Sequence, residues 1–260
     1  MDTSSSGYHV PGRLSCSCSD DVTSCVGACL RPDPLLIRSA LEAVKAPESP
    51  IEIRVLNTRP NGPCRLYGHT LSGFYDDVDA AVRDVSRITG HDAGGIYMTI
   101  NPLDDVVRNW SHNRLANVTK AADDKRINRL RHFFLDIDPL RPPLTNATAE
   151  EHEAAMQLLD ETTAYLVEEE GWPPPVLSGS SGSGGTALWR IDLPIEQSGH
   201  VRDALRGLHE KFQRADVKID TSVSNPARTV RVPGTVNAKA PTPQPDRLWS
   251  LATAQVGGAR

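Results

Sequence analysis

The run His132-Phe133-Phe134-Leu135-Asp136-Ile137-Asp138-Pro139 constrains this chain more than any other. Its aromatic and aliphatic residues suit a buried strand, and Pro139 ends it because proline cannot continue a sheet ladder. Along a strand, positions i and i+2 face the same way, so Asp136 and Asp138 project together while Ile137 packs behind them. Two ionised carboxylates held that close repel each other unless something positive lies between them. Oxygen ligands on a rigid strand suit a hard divalent ion, Mg²⁺ or Mn²⁺. Acids are also common where a strand runs out into solvent, so the pair by itself leaves both readings open.

At 260 residues the chain can bury a full core, as one large domain or two small ones. It contains no apolar run of about 18 residues, so no membrane partner is expected. The N-terminus lacks a basic region followed by an apolar stretch, and a cytoplasmic location is expected. A net charge of −5 argues against indiscriminate nucleic-acid binding but leaves room for a local basic groove. One basic stretch runs from Arg108 through Arg114, Lys120, Lys125, Arg126 and Arg129 to Arg131, and a second spans Arg202 to Lys239. A solvated helix face is the plain reading of each.

Residues 1–32 are rich in Ser, Gly, Asp and Cys without periodicity, and read as a flexible tail. Cys16, Cys18, Cys25 and Cys29 lie there, in a spacing that fits no common zinc pattern, so reduced thiols are favoured over a zinc site. The folded domain is expected over 33–250, with 251–260 as a C-terminal tail. It starts at Asp33-Pro34, an N-cap followed by a first-turn proline, with Ile37, Leu41 and Val44 at helical spacing. Ile51, Ile53 and Val55 alternate with charged residues as a strand. Asp76-Asp77 leads into a helix with Val78, Val82, Val85 and Ile88 inward, and 95–100 is a second strand. Thr148-Ala149-Glu150-Glu151 is a capping box opening the longest helix, which Gly171 ends. Short strands follow near 175–178, 187–193, 217–220 and 229–232, with a helix marked by Val201, Leu205, Leu208 and Phe212. Strands and helices alternate without repeats, so the class is α/β or α+β.

Two further features join the aspartate pair. Between two of these strands lies Ser178-Gly179-Ser180-Ser181-Gly182-Ser183-Gly184-Gly185, by composition a flexible linker, by position a turn whose backbone N–H groups phosphates can approach. It is neither a P-loop nor a nucleophile elbow. Downstream, Asp220 offers a third carboxylate, followed by Arg228, Arg231 and Lys239, cations suited to a triphosphate.

In this order the segments resemble the archaeo-eukaryotic primase superfamily, specifically the primase-polymerase domains of plasmids, phages and mobile elements. The resemblance is carried by Phe-Leu-Asp-Ile-Asp-Pro at 134–139, Ser-Gly-x-Gly at 181–184 leading into Leu-Trp-Arg-Ile-Asp-Leu-Pro at 188–194, and Asp-Thr-Ser-Val-x-Asn-Pro-Ala-Arg at 220–228. Val232-Pro233-Gly234-Thr235 with Lys239 continues it. Weaker echoes are Gly73-Phe74-Tyr75-Asp76-Asp77, Ile96-Tyr97 up to Asn101-Pro102, Asn113-Arg114-Leu115 and the capping box.

The resemblance implies an α+β (mixed α/β) fold, with a catalytic core similar to an RNA-recognition motif and an N-terminal α/β portion packed against it. It implies a DNA primase/polymerase in which Asp136, Asp138 and Asp220 hold two Mg²⁺ or Mn²⁺ ions about 4 Å apart. Ser181, Gly182, Gly184, Thr186, Arg190, Arg228 and Lys239 would hold the nucleoside triphosphate, and basic loops a single-stranded or primed DNA template. A replicative helicase is expected as a separate partner. One departure stands out: the family's turn usually runs Ser-Gly-x-Gly-x-His, and here Thr186 takes the place of the histidine. A hydroxyl carries no charge and reaches less far. A weakened domain that binds nucleic acid or nucleotide during replication initiation is therefore the rival reading, and metal-dependent phosphodiester cleavage a third.

Overall fold

A computed structural model describes residues 30–66, 70–117 and 120–257. The cysteines at 16, 18, 25 and 29 lie outside the described residues, as does most of the expected N-terminal tail. The fold is α+β, and all the paired strands in its sheets run antiparallel. The chain opens with α1 (Pro34–Val44), where Asp33 accepts the amides of Leu35 and Leu36 as predicted and Ile37, Ala40, Leu41 and Val44 are buried. Strands β1 (Ile51–Thr58), β2 (Thr70–Tyr75) and β3 (Ala93–Thr99), with α2 (Val78–Val85) between the last two, build a first sheet. The late strand β8 (Thr229–Arg231) completes it, in the order β2-β1-β3-β8.

The second sheet begins with β4 (Arg129–Pro139), the strand that carries the aspartate pair. After it come α3 (Ala149–Ala164), which a π-helical turn (Tyr165–Glu169) carries on to Gly171, then β5 (Leu177–Ser180), β6 (Gly185–Pro194), α4 (Ser198–Lys211) and β7 (Val217–Ile219). This is a β-α-β-β-α-β sequence with spatial order β5-β6-β4-β7, the split βαβ arrangement. Thr148 and Glu151 form the reciprocal capping box read from the sequence, at 3.2 and 3.0 Å. On one face of this sheet Gly185 abuts Ala155 and Leu159 of α3, and Phe133, Trp172 and Trp189 meet edge to face. The carboxylates of Asp136 and Asp138 therefore point to the other face.

Asn101, just beyond β3, ties the sheets together. Its Oδ1 accepts the amides of Arg131 and His132, at 2.7 and 3.2 Å, and its Nδ2 donates to the Pro226 carbonyl. One side chain thus satisfies two amides of β4 above the point where pairing with β7 stops. The segment expected as a C-terminal tail is part of the fold through 257. β10 (Ser250–Leu251) pairs with β9 (Val236–Asn237), and β11 (Gln255–Val256) extends the second sheet beside β5. Ala252 between them is buried. No helix among the described residues is long and apolar enough to cross a membrane.

Candidate metal centre

Asp136 lies at the centre of a row that crosses the second sheet. Thr186 stands directly opposite it on β6. On the other side the β4–β7 register, Ile137 with Ile219 and Asp138 with Lys218, brings the next residue, Asp220, alongside Asp136. The amide of Asp220 donates to the Asp136 carbonyl at 2.8 Å. Residues opposite each other on paired strands face the same way, so the three carboxylates converge. One oxygen from each of Asp136, Asp138 and Asp220 lies within 4.8 Å of the others. Asp220 also caps the turn that follows it, accepting the Ser222 amide at 2.9 Å.

This arrangement is electrostatically uphill. Burial, reinforced by the charges of Asp138 and Asp220, pushes the Asp136 carboxyl up to about 7. Lys239 and Arg228 pull it the other way without cancelling the rise. Burial also lowers the Lys239 ammonium, which has Arg141 and Arg231 near it as well as the two acids of β4. A set of three carboxylates with charge to spare and only oxygen donors fits a hard divalent ion such as Mg²⁺ or Mn²⁺.

The cations around the triad arrive with the first sheet. Arg228, immediately before β8, donates to the Ser222 carbonyl at 2.7 Å and leaves its Nε without a partner. Arg231, on β8 and only 5% exposed, lies over the Tyr97 ring and donates to its hydroxyl at 2.6 Å. Its Nη1 has no partner among the described residues. Buried guanidinium donors left open in this way suit an anion. By contrast, much of the basic stretch from 108 to 131 is neutralised. Arg108 forks onto Asp76, Arg126 pairs with Asp104, and Arg129 and Arg131 share Asp192.

The Ser/Gly segment is a locked hairpin turn between β5 and β6, not a linker. Gly182 takes a left-handed φ of 84°, which favours glycine, and a Cβ at Gly184 would collide with the Ile137 carbonyl. Asn237 clamps the turn from β9, donating to the Ser181 carbonyl and the Ser183 hydroxyl at 3.0 and 3.1 Å. The expectation of open backbone donors needs correction. The Ser181 amide donates to the Gly184 carbonyl, the Gly182 amide to Ser180 Oγ, and the Gly184 amide to Ser181 Oγ. Three of the turn's N–H groups are spent on holding its shape, and Ser181 closes the turn rather than reaching for a ligand.

Thr186 lies beside the triad, 6% exposed, its hydroxyl 3.5 Å from the Gly179 carbonyl. Arg190 does not join the group. It is opposite His132, four residues up the strand or roughly 13 Å away, and donates to the Ala43 carbonyl at the end of α1. The residue that sequence reasoning missed is Arg141. Its side chain is 9% exposed, pairs with Asp138 at 3.3 Å and also reaches the carbonyls of Thr145 and Pro139. The only hint in the sequence is its place, three residues beyond the second aspartate.

Compared with known proteins, the chain matches no family model and no curated relative. Its class rests on the fold and the site: an α+β protein whose split βαβ sheet presents a carboxylate triad to cations on and around β8 of the first sheet.

Proposed function

We propose that this protein is a template-directed nucleotidyl transferase, a DNA primase-polymerase that joins nucleoside triphosphates to a 3′-hydroxyl. The observation that carries this reading is the convergence of Asp136, Asp138 and Asp220 within 4.8 Å, faced by Arg228 and Lys239. Divalent ions held by the three carboxylates would activate the hydroxyl and stabilise the departing pyrophosphate. The chain's own residues supply the rest. Arg228, Arg231 and Lys239 present positive charge to the triphosphate, and the open donors of the two arginines are placed before the substrate arrives. Arg141 holds Asp138 in position. The Asn237 clamp fixes the turn against the strand that carries the acids.

Primer synthesis and primer extension on a single-stranded template, with Mg²⁺ and with Mn²⁺, test the reading. Incorporation that Asp136→Asn and Asp138→Asn abolish supports it; absence of incorporation by the unaltered protein rejects it. The rival reading, a nucleic-acid or nucleotide-binding module without appreciable catalysis, is favoured by Thr186. A hydroxyl at 3.5 Å from a carbonyl makes at best a weak hydrogen bond and offers a phosphate no charge. Template binding without incorporation selects that module. Phosphodiester cleavage of the template without synthesis would select the nuclease alternative.

A further inference from the structure

We infer that Arg59 is a positioning residue: from the end of β1 in the first sheet it sets where Lys239 stands beside the carboxylate triad. The inference takes the phosphate-holding role of Lys239 from the transferase reading, but the contacts that support it are independent of that reading. Arg59 follows β1 directly, and its amide donates to the Asp92 carbonyl at 2.6 Å. Its half-buried guanidinium has no carboxylate partner among the described residues and donates instead to three carbonyls. One is that of Gly90; the others are those of Ala238 and Ala240, at 2.6 and 3.1 Å. The Trp249 ring lies 5.2 Å away, and its Nε1 donates to the same Ala240 carbonyl at 3.0 Å. Desolvating a guanidinium without an acid beside it is costly, and what this one secures in return is main chain.

Those contacts bracket one residue. Peptide groups are planar, so the direction in which a side chain leaves its Cα is fixed once the peptides on both sides are fixed. The peptide before Lys239 is held through the Ala238 carbonyl by Arg59. The peptide after it is held through the Ala240 amide, which donates to Asn146 Oδ1 at 3.4 Å. Asn146 is fully buried and also donates to the Asn237 carbonyl at 2.9 Å, while the Ala238 amide reaches the Gly94 carbonyl of β3 at 3.1 Å. Lys239 needs such holding. Asp138 and Asp136 favour its ammonium, but burial and the charges of Arg141 and Arg231 oppose it. On an untethered loop its flexible four-carbon stem would turn toward water.

Arg59→Met and Arg59→Lys, each alone and combined with Lys239→Met, test this in the full chain. One readout is the rate at which an amine-acylating reagent labels Lys239, followed by mass spectrometry with the exposed Lys125 as internal reference. The other is calorimetric binding of tripolyphosphate with Mn²⁺. Arg59→Met should speed labelling of Lys239 about fivefold relative to Lys125 and weaken tripolyphosphate binding about tenfold. In the Lys239→Met background it should weaken binding no further, because the two residues act as one unit. Arg59→Lys keeps the charge and a donor for one carbonyl, so it should fall between, and it carries the test if the methionine form does not fold. Unchanged labelling of Lys239 in a folded variant would overturn the inference. So would equal losses of binding from Arg59→Met with and without Lys239, since Arg59 would then staple the fold with no bearing on the lysine. If the unaltered protein does not bind tripolyphosphate, labelling alone decides. Faster labelling in a protein that incorporates no nucleotide keeps this inference and removes the transferase reading; incorporation that Lys239→Met lowers and Arg59→Met does not does the reverse.

Discussion

The backbone amide of Asp220 donates to the carbonyl of Asp136, and this one bond brings the third carboxylate to the first two. Asp220 has a second task as the cap on Ser222. The two tasks can be separated. Asp220→Asn keeps a capping oxygen and removes the charge, so it should preserve stability while abolishing divalent-ion binding and nucleotide incorporation. Asp220→Ala should lose both, with an added cost of about 1 kcal/mol in chemical denaturation.

The metal-free protein should carry the mark of Asp136 in its pH dependence. Its folded carboxyl titrates near 7 against an ordinary value of 3.8, so the folded state holds that proton more tightly than the unfolded chain. The contribution is therefore fully present below 3.8 and lost as pH rises through about 7. In melting scans with a chelator, Asp136→Asn should match the unaltered protein at the acid end and melt higher at pH 8. Mn²⁺ should raise the melting temperature of the unaltered protein most at the alkaline end and leave the variant nearly unmoved.

His132 supplies a contrast within the same strand. Burial lowers its imidazole from 6.5 to about 4, while Nδ1 lies 2.5 Å from the Ile100 carbonyl. Its folded value is depressed, so the neutral ring's contribution is present above 6.5 and lost as pH falls through about 4. His132→Gln should remove that acid-side loss, which melting scans of the two variants together resolve from the opposite trend of Asp136.

Thr186 is the position where a single substitution should increase activity. It faces Asp136 across the β4–β6 pair, where an imidazolium could reach a phosphate oxygen. Thr186→His should raise incorporation by roughly one to two orders of magnitude at low nucleotide concentration, read by steady-state extension of one primed template. An unchanged rate would mean that the open donors of Arg228 and Arg231 already suffice.

Arg141 should behave as a positioning residue. Arg141→Met retains much of its bulk but frees Asp138, and should weaken Mn²⁺ binding in calorimetry while costing roughly 1–2 kcal/mol of stability. Arg141→Lys, which keeps the charge without the planar fork, should restore part of the ion affinity and less of the stability.

Most of the elements were legible because their causes are local. Asp33 before Pro34, the reciprocal Thr148–Glu151 box, the alternation of Ile51, Ile53 and Val55, and Gly171 at φ 71° each carry their own instruction in a few residues. The acid pair was legible for the same reason, since period two fixes a common face. Features made by distant partners were not. The Ser/Gly run is rigid only because Asn237 reaches it from β9. Residues 255–256 form a strand because β5 offers an open edge. Arg190 could not be placed from its own segment, because its partner is a carbonyl on α1. Four of the seven cations in the basic stretch are paired with acids whose identity depends on the fold.

Arg141 apart, the site's two signs of charge enter the chain at different times. The three acids are complete by Asp220, whereas Arg228, Arg231 and Lys239 all follow the turn at 221–225, where Ser222 and Asn225 are exposed and Val223 is buried. A break in that turn would yield two fragments, one able to gather metal ions and the other holding the cations for phosphate. Under the transferase reading neither would incorporate nucleotides alone, and activity would return only on reassociation, which makes this turn a place to build a split reporter.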